Sequence, residues 1–160
     1  MAAHRAPRET WEVPVALNSV EIRLGGGMLG LNRFLMTLQN KRMPVASFAL
    51  GYDGIGMRAT IHLDCPSEVA QRYAALLSVL EDVEGIEAAD GMVEVVLLKM
   101  QRDGWRDEAE RLGVGVHRDG DVVVASGRPE DLEAWLSRIE GDLEDLVRLG
   151  PVARPGIGGV

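Results

Sequence analysis

Ser19-Val20-Glu21-Ile22-Arg23-Leu24-Gly25-Gly26-Gly27 is the stretch on which the reading of this chain turns. Val20, Ile22 and Leu24 alternate with polar neighbours, the period of a strand with one buried face. Three glycines then break the chain. Beyond them Leu31, Leu35 and Leu38 recur on one helical face, while Arg33, Asn40 and Lys41 take other angles. Pro44 ends this helix, because its ring cannot continue one. Two strands are predicted next, Val45–Leu50 and Arg58–Leu63, joined across the glycine-rich connection Gly51–Gly56. A second helix is predicted with Asp64 as N-cap and Pro66 in its first turn. It buries Val69, Tyr73, Leu76, Leu77 and Leu80. A short strand near Val83–Ala88 closes the unit.

Downstream the same order repeats. Val93–Met100 is apolar nearly throughout and reads as a central strand. A short helix follows over about Arg106–Leu112. Val114–His117 and Asp121–Ala125 form a hairpin around Asp119-Gly120, a strong turn pair. After Pro129, Leu132, Trp135, Leu136 and Ile139 fall at i, i+3, i+4 and i+7, an amphipathic helix. Leu143–Leu149 supplies a last strand. The fold class is therefore α+β, with two βαββαβ ferredoxin-like units. The expected division is an N-terminal arm over 1–18 with a possible extra strand at Val13–Leu17, units over 19–90 and 91–152, and a mobile Gly- and Pro-rich tail over 153–160. Each unit is short for independent stability, so the two are expected to share an interface or to associate with another chain.

Composition limits the function. With 46% hydrophobic and 26% charged residues, the 160-residue chain is globular rather than disordered. Its net charge is −8, and no basic stripe offsets that field, which argues against a nucleic-acid partner. Cys65 is the single cysteine, so neither an intrachain disulfide nor a cysteine zinc cluster is available. A reduced, cytoplasmic setting fits. The arm Met1–Thr10 lacks the apolar run of a signal peptide, and no segment approaches the roughly 20 apolar residues of a membrane helix.

Few residues point to chemistry. Gly25-x-Gly27-x-x-Gly30 formally matches a dinucleotide-binding fingerprint between a strand and a helix, with Asp53 near the distance of the acidic partner. The following strand turns back as a hairpin, however, and two short units leave no room for a doubly wound sheet. The glycines serve equally as a flexible strand-to-helix turn, or as free N–H groups able to hold a small carboxylate. His4, His62 and His117 show no metal-ligand spacing, and no nucleophile elbow is present. Cys65, placed before a helix, has a setting that lowers thiol pKa values but no basic partner nearby in sequence. Glu81-Asp82 and Glu130-Asp131 read as solvated faces. With no catalytic constellation, the chain is expected to be a non-enzymatic regulatory or binding module without cofactor or metal.

The first unit resembles an ACT domain, and the whole chain resembles the regulatory (small) subunit of acetolactate synthase. Leu29-Gly30-Leu31-Asn32-Arg33, with Leu38 and Val45-Ala46-Ser47-Phe48, is similar to that family's Gly-Ala-Leu-Ser-Arg run and the Ile-Glu-Ser-Leu strand after it. Arg58-Ala59-Thr60-Ile61 resembles its Arg-Met-Thr-Ile strand. Val93–Met100, Ala125–Leu136 and Val147–Ala153 resemble three further segments in the same order, so the resemblance covers about residues 19–154.

That resemblance implies a partner, a thiamine-diphosphate-dependent acetolactate synthase catalytic subunit in branched-chain amino-acid biosynthesis, which this chain would bind and activate. It implies a homodimer through paired ACT units, lined by Val45–Leu50. It also implies an amino-acid effector near Gly26, Gly27, Leu29, Gly30, Leu31, Pro44, Val45 and Ala46. Two family asparagines that contact the effector fall at Gly26 and Pro44, and a family glycine falls at Leu29. Neither Gly26 nor Pro44 has an amide side chain, and Pro44 has no backbone N–H. Valine feedback is therefore expected to be altered or lost. The alternative is a free-standing ACT-domain sensor of an amino acid or another small ligand with a different partner.

Overall fold

A computed structural model describes residues 18–89 and 91–155. The N-terminal arm with its expected strand at Val13–Leu17, and the end of the tail, lie outside the described residues. The elements run β1 (Ser19–Leu24), α1 (Gly27–Asn40), β2 (Val45–Tyr52), β3 (Met57–Leu63), α2 (Ser67–Ser78) and β4 (Val83–Ala88). They continue with β5 (Met92–Met100), α3 (Arg106–Arg111), β6 (Gly115–Asp119), β7 (Val122–Gly127), α4 (Pro129–Ile139), a 3₁₀ turn (Glu140–Asp142) and β8 (Leu143–Ala153). Two four-stranded antiparallel sheets result, ordered β2-β3-β1-β4 and β6-β7-β5-β8. In each βαββαβ set the first strand is central, flanked by the third and fourth, with the second at one edge.

Alternation on the strands and periodicity on the helices meet in two separate cores. Val20, Ile22 and Leu24 of β1 join Ala59, Ile61 and Leu63 of β3 under helices α1 and α2. Helix α1 contributes Leu31, Phe34 and Leu38. Leu35, expected on that stripe, is instead 40% exposed, because α1 is rotated so that Phe34 turns inward. In the second core, all four predicted α4 positions, Leu132, Trp135, Leu136 and Ile139, are buried against β5 and β7. Trp135 Nε1–H donates to the Trp105 carbonyl at 3.2 Å, and the two rings meet edge to face with centroids 6.4 Å apart. The bond satisfies an indole donor that burial would otherwise leave costly.

Three local expectations are corrected. Asp64 does not cap α2: its N–H donates to the Pro44 carbonyl at 2.8 Å, extending the sheet edge, and Pro66 takes the N-cap position. The β6–β7 turn is centred on Gly120-Asp121, since Asp119 pairs with Val122. Gly120 alone there has a positive φ, 62°, which a first central glycine accommodates. Strand β8 runs past Leu149 to Ala153, because Gly150 and Pro151 together face Glu94 as a bulge rather than ending the strand. Its far end reaches the first sheet, where the Ala153 N–H donates to Thr60 Oγ1 at 2.9 Å.

Candidate functional site

The residues expected to hold an effector fall at two places. The first is the β1–α1 junction. Gly26 and Gly27 take positive φ values of 74° and 58°, and no side chain caps the helix. Gly26, Gly27 and Leu29 are exposed, whereas Gly30 and Leu31 are buried. A Cβ on Gly30 would sit 2.1 Å from the Gly25 carbonyl oxygen, so this glycine exists to let α1 touch the end of β1. The junction is also tied to β4. The Gly25 N–H donates to the Asp82 carbonyl at 2.8 Å. Arg33 forks onto the Asp82 carboxylate, Nε to Oδ2 at 2.8 Å and Nη2 to Oδ1 at 2.7 Å. That guanidinium holds the Asp82 carboxyl below the usual carboxylate range, first by hydrogen bonding and also by charge.

The second place is the start of β2, where Pro44 and Val45 are half-buried and Ala46 is exposed. Along β3, Met57 pairs with Leu24 and Leu63 pairs with Val45. Six residues of strand therefore separate the two places, about 20 Å at the usual rise. Helix α1 spans that interval. Within one chain the structure does not bring the two halves of the expected site together. Asp53, the acidic residue of the formal dinucleotide fingerprint, accepts from the Ile55 and Gly56 N–H groups in its own hairpin. Those bonds, that from Gly56 foremost, lower its pKa. Strand β1 is flanked on both sides by antiparallel strands, so the adjacent parallel strand that the fingerprint's mechanism needs does not lie beside it.

Between the sheets lies a feature that sequence reading missed, a cleft of about 1000 Å³ lined by both units. Ser19 and His62 meet in it across the β1–β3 ladder, with Oγ and Nδ1 2.8 Å apart. On the other side Arg148 of β8 forks onto Glu94 of β5 at 2.6 and 3.0 Å, and reaches Glu133 at 2.8 Å. Glu94 is 1% exposed, and these bonds raise the Arg148 pKa despite partial burial. Of the expected effector residues, Ala46 alone lines the cleft. The signal in the sequence was slight: Glu94 and Arg148 lie inside stretches that resemble the family, but their pairing spans 54 positions. Cys65 departs from expectation, since burial and then Asp64 push its thiol pKa up rather than down. Among the described residues no cluster of three or more His, Cys, Asp or Glu is placed to hold a metal ion. None of the described helices is long and apolar enough to cross a membrane.

The chain matches no protein-family profile and no curated protein sequence. Among solved structures it is similar to the small subunit of acetolactate synthase from Thermotoga maritima, with a TM-score of 0.68 and 16% identity. That match covers 87% of this chain and 98% of the other. The likeness is one of fold. It spans both βαββαβ units, as the sequence resemblance does.

Proposed function

We propose that this chain is a regulatory subunit that binds and activates the thiamine-diphosphate-dependent catalytic subunit of acetolactate synthase. The observation that carries the reading is the fold likeness over both units to a protein solved as an acetolactate synthase small subunit. The ordered sequence resemblance over about residues 19–154 supports it. In this role the chain supplies no catalytic group or cofactor. It works in the cytoplasm as a contact surface whose state an effector sets.

The geometry supports a homodimer. Strand β2 is an edge strand, with Leu50 44% and Tyr52 72% exposed. Apolar edges of this kind are normally covered. Pairing β2 with its counterpart in a second copy would cover them. The same pairing would bring the Gly26–Leu31 junction of one copy toward Pro44–Ala46 of the other, joining the two half-sites that a single chain keeps apart. The free N–H groups at the start of α1 would then meet the carboxylate of an amino acid. With Gly26 and Pro44 offering no side-chain amide, valine feedback is altered or lost.

The same two positions favour the second reading, a free-standing sensor with another partner. Affinity capture of the chain from lysate of its own organism, with partners identified by mass spectrometry, separates them. Recovery of a thiamine-diphosphate synthase supports the first reading; recovery of a different enzyme, or of the chain alone, overturns it.

A further inference from the structure

The cleft between the sheets has a composition that the effector junction does not explain. Ala46 and Ala89 from the first unit and Met92, Pro129 and Pro151 from the second give it short apolar walls. Most of its charges are already paired. Arg148 is held by Glu94 and Glu133, and Arg128 forks onto Asp131 at 2.8 and 3.2 Å. Arg154 differs. It lines the cleft and is exposed, and among the described residues no ion pair with a carboxylate engages its guanidinium. Its backbone N–H donates to the Gly91 carbonyl at 3.0 Å, which fixes the residue beside the link between the units. From the first unit His62 lines the same cleft, and Ser19 occupies its Nδ1, leaving Nε2 for a ligand.

We propose that this cleft is a ligand site of its own, distinct from the β1–α1 junction, taking a small monocarboxylate with a short apolar body. Arg154 and His62 hold the carboxylate, and the hydrocarbon lies against Ala46, Met92 and Pro151. The volume lies at the upper end of those that hold small organic ligands, and the pattern of apolar walls with a few polar groups is typical of such sites. Among the described residues that line the cleft, one unpaired guanidinium matches one carboxylate. A second negative charge would be brought near Glu94 and Glu130, which also line the cleft. Inorganic phosphate would satisfy Arg154 but leave the apolar walls wet. Because both units contribute, an occupant would fix one sheet relative to the other.

The test uses the full chain, with hexanoate as the probe against 1-hexanol, hexylamine and inorganic phosphate. Hexanoate is expected to raise Tm saturably and to shift the NMR signals of the His62 ring, leaving those of His4 and His117 in place. The other three compounds are expected to do neither. Arg154→Gln, an exposed substitution that leaves both cores intact, is expected to weaken hexanoate binding about tenfold or more, as loss of a hydrogen bond to a charged group does. Leu29→Ala at the effector junction is expected to leave it unchanged. No saturable response to hexanoate, an equal response to any of the other three compounds, or undiminished binding by Arg154→Gln would overturn the proposal.

Discussion

At Gly30 one missing methyl group sets how closely α1 approaches the end of β1. The 2.1 Å distance from an added Cβ to the Gly25 carbonyl leaves no room for adjustment by a side chain, because the obstacle is backbone. Gly30→Ala is therefore expected to destabilise the fold by about 1–3 kcal/mol, the usual cost of overpacking, measured by urea unfolding. Nearby, Asp82 shows the electrostatic side of the same junction. Its pKa is lowered in the folded state, so its contribution is complete above the ordinary carboxylate value of about 4 and is lost as pH falls through the folded value. Asp82→Asn is expected to flatten the stability profile in that acid window while leaving its shape at higher pH unchanged. Thermal unfolding across a pH series checks this. Both effects lie outside sequence reading. The glycine run announced a turn, but only the packing shows that Gly25 lies against Glu84 while Gly26 and Gly30 both lie against Asp82.

Helices and strands were legible where their period was unbroken. Leu132, Trp135, Leu136 and Ile139 were read as one buried face, and all four are buried. Trp135 has no exposed surface, and its indole N–H is paired. Trp135→Ala is expected to cost about 3–5 kcal/mol by cavity formation, read from the shift in urea midpoint. The apolar pattern of the last strand stops at Leu149, before Gly150-Pro151, whereas β8 continues to Ala153. Glycine and proline do end strands, yet they also mark bulges, and only the partner strand decides which. The recovered residues matter, since Ala153 is where β8 bonds to Thr60 of β3. Thr60→Val keeps the volume but leaves that N–H without its partner. It is expected to cost about 1 kcal/mol and to speed hydrogen exchange at the Ala153 amide.

Across the whole molecule, two chain segments of different sequence adopt one strand order. That order was legible because hairpins and amphipathic helices are local signals. How the halves meet was not legible, because the Ala153–Thr60 hydrogen bond that joins them links residues 93 positions apart; within each half, Ser19–His62 and Glu94–Arg148 are likewise contacts between residues distant in sequence. The candidate effector site divides in the same way. Its two halves were named from resemblance, and the register shows that they occupy opposite ends of a sheet, which is why the proposed site draws its second half from a second copy. Leu50→Lys places a charge on the exposed edge of β2, and it is expected to convert a dimer to a monomer in sedimentation velocity and to remove any dependence of Tm on protein concentration. The proposed role of the chain is activation of a partner enzyme. The most direct measurement is acetolactate formation by the catalytic subunit of the same organism, titrated with this chain. Activity is expected to rise and saturate as the chain is added. Activity that stays constant through a large excess would contradict it.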